Sequence, residues 1–363
     1  MSEATTPGAD LVAEISTAMP DPDAQARSAA LTRWDSLAKP AGALGKLEPL
    51  GAWLCSVQGQ CPPRQIEDVR VVVVAGDHGV AAAGVSAYPP EVTASMVRTI
   101  VAGGAAVNVL ARQVGATVSV HDISVDADLS ELGPGVVEHK VRRGTGSIDV
   151  EDAMSVDEAV TAFAAGRALA DQAVDTGADL LVVGDMGIGN TTPAAALVGL
   201  LTRSEVVEVM GRGTGIDDQG WMRKAAAIRD AMHRGRSRLG DPIELLAAVG
   251  GPDIAAMAGF LTQAALRRTP VVLDGLVSCT AALIAQRMSF RAPRWYVAGH
   301  RSTEPAQAKA LERLGLEPVL EAQMRLGEGT GALLAVPRVK AAAALLVEMA
   351  LLDDVLGEVS DSG

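Results

Sequence analysis

Five short runs of consecutive apolar residues punctuate the chain: Val69–Ala75, Thr117–Val120, Leu180–Val183, Pro270–Leu273 and Trp295–Ala298. None shows the alternation of a half-exposed strand. Each stops at a residue that ends or re-aims a strand: Gly76, His121, Gly184, Asp274 and Gly299. Unbroken apolar runs of this length suit strands buried on both faces of a parallel sheet. Ala-rich stretches between them predict helices over Val92–Val101, Ala105–Val114, Val156–Ala173, Ala194–Leu201, Trp221–His233 and Ile254–Leu266. Strands alternating with helices predict an α/β fold with a doubly wound, mostly parallel, Rossmann-like sheet. In such folds ligands gather at the carboxyl ends of the strands.

The two ends of the chain read differently. Residues 9–60 and 338–357 look helical, and Pro337 is expected to separate the last loop region from the final helix. The expected division is a small helical domain from residues 1–65 and 338–363 and a large α/β domain over 66–337. No run is expected to reach the ~18 apolar residues of a spanning helix. The greasy tail, Ala341 to Leu352, is interrupted by Glu348.

Composition narrows the chemistry. At roughly 150 residues per domain, 363 residues suit one large domain or two ordinary ones. Apolar residues make up 48%, enough for a sizeable core and too many for a disordered chain. With four Trp, two Tyr and three Phe, the core must be Ala, Val and Leu, and a stacking platform for single strands is disfavoured. The net charge of −13 repels nucleic-acid backbones and anionic lipid, so no nucleic-acid or membrane partner is expected. An anionic substrate must then be captured locally. Cys55, Cys61 and Cys279 are too few and scattered for a disulfide framework or zinc knuckle, and read as reduced thiols in a cytoplasmic protein. The acidic opening, without an apolar core segment, predicts no signal peptide.

The strongest local motif is Gly184-Asp-Met-Gly-Ile-Gly-Asn-Thr-Thr-Pro193. It follows a predicted strand and opens a predicted helix, with Thr191 or Thr192 as N-cap and Pro193 at the first helical position. Glycines allow close backbone approach, and amides at a helix start attract anions. The third glycine of a dinucleotide fingerprint is missing. Gly211-Arg-Gly-Thr-Gly-Ile-Asp-Asp218, with Lys224 two turns into the next helix, is a second glycine loop, and residues 142–146 form a third. Any of these can also be a simple turn.

Other strand ends carry polar residues. Asp77 and His78 follow the first strand, and a polar-apolar loop runs from Val85 to Thr93. Gly299-His-Arg-Ser-Thr-Glu-Pro305 repeats the pattern of strand end, polar loop and capped helix. The five histidines show no HxH or HExxH spacing, so no metal site is expected. In Arg325-Leu-Gly-Glu-Gly-Thr-Gly331, three glycines frame Glu328. Such a carboxylate is either a solvated loop residue or one aimed into a pocket as a general base.

Taken in order, these motifs resemble the nicotinate-nucleotide:dimethylbenzimidazole phosphoribosyltransferases, which make the lower-ligand nucleotide of cobalamin. The resemblance runs from Lys39-Pro-Ala-Gly-Ala-Leu-Gly-Lys-Leu-Glu48 through GDHGV, GVSAYP-x-EVT, GGAAVNVLAR, GIGNTTPAAAL, GRGTG-x-DD and GHRS-x-EP to RLGEGTGA. It implies a large parallel-sheet domain, a small helical domain from both termini, a homodimer and no cofactor. The implied reaction moves phosphoribose from nicotinate mononucleotide to 5,6-dimethylbenzimidazole, giving α-ribazole 5′-phosphate and nicotinate. By position it implies Glu328 as the base, with Asp185 as a second carboxylate. Gly187, Ile188, Gly189, Asn190 and Thr191 match the phosphate and ribose cradle. Gly213, Thr214, Gly215, Lys224, Ser302 and Gly327 complete the nucleotide site, and Ser86, Pro90, Met186 and Leu326 line the base pocket. Three positions depart from the family pattern. Asp185 stands where Glu is usual, Pro90 where Gln is common, and Gly251-Pro-Asp253 replaces Gly-Phe-Glu.

Two rival readings use the same residues. A metal-dependent phosphohydrolase would draw on Asp77, His78, Asp185 and Asp274. A nucleotide-sensing module would use the glycine loops and leave Glu328 without a role.

Overall fold

The structure, a computed structural model, describes residues 6–361. Residues 1–5 and 362–363 of the expected small domain lie outside the described residues. Six strands form one all-parallel sheet: β1 (Val69–Gly76), β2 (Ala116–Ser124), β3 (Leu180–Met186), β4 (Val271–Leu273), β5 (Tyr296–His300) and β6 (Pro318–Leu320). Their order is β2-β1-β3-β4-β5-β6. The chain reverses its direction of winding between β1 and β3, the switch point where such sheets open a crevice. β1, β3 and β4 are buried along nearly their whole length, as their largely apolar runs require, whereas β2 departs from the expectation: its first four residues alternate half-buried and exposed, as suits an edge strand. β6 escapes the sequence pattern. It has three half-buried residues and pairs only with β5.

The six expected helices form, most extended by a few residues. The helix expected after Glu304 runs from Pro305 to Leu314, and Pro242–Val249 and Leu276–Met288 are further helices that the pattern did not separate from neighbouring loops. Local signals set several starts. Ser155 and Glu158 make a reciprocal capping box before Val156–Asp175, and Asp217 accepts from the Gly220 amide before Asp218–Gly235. The helix Thr191–Thr202 starts differently from expectation. Asn190 is its N-cap, in helical conformation and without a side-chain cap, and Pro193 stands third.

Two expectations about the termini need correction. Pro337 does not end anything: one helix runs from Thr330 to Glu348 through it. The proline faces solvent while Ala332, Leu333, Val336, Val339 and Leu346 are buried, so packing outweighs the lost hydrogen bond. The boundary drawn at residue 338 therefore falls inside a rigid element. The first helix, Pro7–Ala18, packs against Pro242–Val249 and Leu276–Met288 of the main body. Ala24–Ser36 and Leu47–Gln58 share a separate small core, in which Trp34, Leu37, Ala52 and Cys55 meet Leu346. The Trp34 indole N–H donates to the Glu48 carbonyl at 2.9 Å.

Two segments, 92–114 and Thr330–Glu348, have the length and mean apolarity of a membrane span, although neither is an unbroken run of ~18 apolar residues. The first is two helices broken at 102–105, and the second packs on β5 and Leu47–Gln58. Core packing accounts for both.

Val156–Asp175 crosses Pro252–Leu266 at reciprocal glycines. A Cβ on Gly166 would lie 1.7 Å from the Ala256 carbonyl oxygen, and one on Gly259 would lie 1.9 Å from that of Phe163. Backbone meets backbone, so neither side can yield by a rotamer change. Gly166→Val is expected to cost at least about 3 kcal/mol, the upper range for overpacking. Thermal unfolding checks this, and an unchanged Tm would contradict it.

Candidate active site

The carboxyl ends of β3, β4 and β5, with the loop after β1 and the segment after β6, enclose a cleft of about 380 Å³. Tyr88, Val92, Met96, Met186, Leu276 and Val277 make its walls largely apolar. Asp185, Asp274, Glu304 and Glu328 bring four buried carboxylates to it.

Glu328 is 2% exposed and lies in left-handed backbone with φ +63°, between Gly327 (+88°) and Gly329 (+87°). A non-glycine residue there is strained, and such strain concentrates at functional sites. The loop is seated on β3. A Cβ on Gly184 would lie 2.3 Å from the Glu328 carbonyl carbon. The Glu328 amide donates to the Asp185 carbonyl at 3.0 Å, which fixes the loop's register on the strand. Its carboxylate Oε2 accepts from the Val107 amide at 3.2 Å, in the first turn of Ala106–Val114. Burial pushes its pKa up, and that amide opposes the rise.

Asp185 accepts from the Asn190 side-chain amide at 2.7 Å. Burial, reinforced by the neighbouring charge of Asp274, pushes its pKa up to about 8. Asp274 is pushed up to about 6 by burial, against the backbone amides that stabilise its charge. It accepts from the amides of Gly329 (3.1 Å) and Ala332 (2.9 Å), so it both pins the Glu328 loop and caps the helix that follows. Sequence reasoning had offered Asp274 only as a metal ligand.

The donors of the phosphohydrolase reading do not assemble. His78 Nε2 pairs with Asp253 Oδ2 at 2.9 Å in a fully buried contact. Among the described residues no group of three or more His, Cys, Asp or Glu side chains is arranged to hold a metal ion.

Gly187, Ile188, Asn190, Thr191, Gly213, Thr214, Ser302, Gly327, Met186 and Leu326 line the cleft. Gly189, Gly215, Lys224, Ser86 and Pro90 do not. Gly189 (φ +91°) turns the loop beside Ala81. Lys224 is fully buried beneath the cleft, its Nζ 2.7 Å from Thr191 Oγ1, and desolvation lowers its pKa to about 8. Ser86 Oγ lies 3.0 Å from Thr214 Oγ1 and so braces the second glycine loop. Pro90 is exposed, and its carbonyl accepts from the Thr93 amide. The third glycine loop lies apart: the Thr145 hydroxyl accepts from the Gly79 amide. The sequence reading also missed His300, Glu304, Met324, Arg325 and Thr330 as cleft residues. GHRS-x-EP holds the first two and RLGEGTGA the last two, while Met324 stands just outside any motif.

A parallel sheet, glycine loops at its carboxyl edge and a buried carboxylate in an apolar cleft describe a phosphoribosyltransferase. Residues 19–355 match the family described by that word, Phosphoribosyltransferase. The chain is 58% identical over 337 residues to the nicotinate-nucleotide–dimethylbenzimidazole phosphoribosyltransferase of Mycolicibacterium paratuberculosis, covering 93% of this chain and 96% of that one. It is 59% identical over 329 residues to the enzyme of the same name from Mycobacterium tuberculosis, covering 91% of each. The crystal structure of CobT from Thermus thermophilus superposes with a TM-score of 0.86 at 42% identity, covering 91% of this chain and 98% of that one. The chain belongs to the nicotinate-nucleotide–dimethylbenzimidazole phosphoribosyltransferase family.

Folded Asp185 holds its proton to about pH 8, whereas an unfolded Asp loses it near about 3.9. Between these values the folded state binds the extra proton, so stability falls as pH rises. Asp185→Asn should flatten Tm against pH, gaining on wild type most near pH 8 and leaving the shallower slope due to Asp274. Parallel profiles for the two proteins would contradict the assignment.

Proposed function

We propose that this enzyme transfers phosphoribose from nicotinate mononucleotide to 5,6-dimethylbenzimidazole, releasing nicotinate and forming α-ribazole 5′-phosphate, with Glu328 as the general base. One nitrogen of the benzimidazole attacks C1′ of the ribose. The bond from C1′ to the pyridinium nitrogen breaks, and its electron pair leaves with nicotinate. The pyridinium departs as a neutral ring and needs no acid. The benzimidazole's other nitrogen must shed its proton, and Glu328 takes it. The observation that carries this reading is the buried, left-handed Glu328 at the head of an apolar cleft. Burial raises the basicity of that carboxylate, as proton abstraction near neutral pH requires. Asp185, protonated below about pH 8, adds no negative charge beside the reacting groups.

The glycine loops at 187–191 and 213–215 receive the phosphate and ribose in this proposal, with Ser302 and Gly327 beside them. Met186 and Leu326 face the aromatic ring, while Ser86 and Pro90 shape the loop over it. Lys224 acts from beneath, through Thr191. We further propose a homodimer, supported by Leu351, Leu352, Val355 and Leu356, apolar side chains exposed near the end of the chain, and a cytoplasmic location, supported by the free thiols of Cys55, Cys61 and Cys279. Light scattering would report the dimer.

Glu328→Gln should fold and bind nucleotide but lose turnover by ~10²–10⁴-fold, the usual contribution of a general base. Release of free nicotinate on mixing the two substrates is the assay, and near-normal turnover in the variant would overturn the role. An apolar pocket separates rings differing by a methyl by only ~1–3 kcal/mol, so benzimidazoles that differ by a single methyl should fall within about 200-fold of one another in kcat/KM. Competition between equimolar bases, resolved by chromatography, checks this. Exclusive use of one base would refute it.

A further inference from the structure

The two glycine loops offer fewer free donors than their sequences suggest. The Ile188 amide donates to Thr93 Oγ1 at 3.0 Å, and those of Asn190 and Thr192 donate to the carbonyls of Gly187 and Gly189. Pro193 has no amide hydrogen to give. In the second loop the Gly213 amide donates to Glu304 Oε1 at 2.9 Å and that of Gly215 to the Arg212 carbonyl. Lys224 is enclosed, its ammonium bound to Thr191 Oγ1. A phosphate entering here meets a helix start with few amides left and four cleft carboxylates, Asp185, Asp274, Glu304 and Glu328.

Arg325 is the one Lys or Arg side chain that lines the cleft among the described residues. It forms no ion pair with a carboxylate among those residues. Its Nη1 donates to the Gly213 carbonyl, and a Cβ on Gly215 would lie 3.9 Å from its Nη2. The guanidinium therefore lies along the second glycine loop, beside Thr214 and one loop away from the helix that begins at Thr191. A planar fork with one nitrogen anchored on a carbonyl keeps its remaining N–H groups for a second acceptor, and a phosphate matches that geometry.

We infer that Arg325 is the residue that selects a phosphorylated sugar donor, pairing with the donor's phosphate while holding the Gly213 loop against the segment that carries Glu328. The inference rests on the proposed donor, nicotinate mononucleotide. That molecule has two anions, a phosphate and a ring carboxylate. The loop contacts favour the phosphate, because Arg325 is tied to the glycine loop rather than to the apolar walls that suit the ring.

The test is calorimetric binding of three probes to wild type, Arg325→Gln and Arg325→Lys. The probes are nicotinate mononucleotide, nicotinate riboside (no phosphate) and nicotinamide mononucleotide (no carboxylate). A hydrogen bond to a charged group is worth a factor of about 10 to 100. Arg325→Gln should lose that much affinity for both mononucleotides and little for the riboside, and Arg325→Lys should recover part of it. Equal loss on all three probes would make Arg325 only a strut of the loop. Loss on mononucleotide and riboside of nicotinate alone would assign it to the ring carboxylate. Undiminished binding of the mononucleotides would also overturn the inference. Wild type that binds nicotinate mononucleotide without releasing nicotinate to the base would defeat the transfer reaction and leave this inference standing.

Discussion

The site depends on one backbone contact: the Gly327–Gly329 turn resting on Gly184 of β3. Any side chain at Gly184 would occupy the space of the Glu328 carbonyl. The turn itself needs three successive left-handed residues, one of them Glu328. Local preference supplies the flanking glycines and opposes the glutamate. The Asp185 carbonyl, the Asp274 carboxylate and the Val107 amide supply what overcomes that opposition. These anchors come from β3, from the end of β4 and from the helix before β2. The Glu328 carboxylate is thus held by elements spanning much of the sheet, and its position is a property of the whole domain.

The same anchoring sorts three neighbouring carboxylates into different states. Desolvation raises the pKa of all three, because a buried site disfavours charge. What separates the two aspartates is the neighbouring charge of Asp274, which raises Asp185 further, and the backbone amides that hold Asp274 down. Asp274 receives backbone amides and stays the more acidic, at about 6, fit for a structural anion. Asp185 receives one side-chain amide and rises to about 8, so near neutral pH it is uncharged. Pushing neighbouring groups apart in this way lets one act as a base while another stays silent. Two ionised carboxylates beside Glu328 would raise its pKa further and repel the donor's phosphate.

Much of the architecture was legible because buried parallel strands carry an unmistakable pattern. The runs at Val69 and Leu180 needed no tertiary information to be read as strands. β6 lacks that pattern, since a three-residue edge strand needs little apolar surface. Pro337 misled for a related reason: a proline's local penalty is visible in sequence, while the buried stripe that outweighs it is visible only after folding. At the site, glycine spacing pointed to the loops but not to which of their amides remained free. Thr93 consumes the Ile188 amide from nearly a hundred residues away, and no local motif announces that bond. Asp274 and Arg325 went unassigned as cleft-building residues because their partners, Ala332 and Gly213, belong to other loops.

The chain's acidity sharpens the problem its cleft must solve. With a net charge of −13, long-range attraction works against an anionic donor. Recognition has to operate at contact distance, beside buried carboxylates where each charge acts more strongly than in bulk water. Lys224 lies below the cleft without meeting solvent, its ammonium donating to Thr191. Desolvation weakens its hold on the proton, and the charge of Glu304 opposes that loss. Glu304 also takes the Gly213 amide, so the charge that keeps Lys224 protonated shapes the loop above it. One carboxylate therefore couples the electrostatics under the site to the backbone at its rim. Loop geometry and local charge are in this way set together, which the bulk composition of the chain gives no hint of.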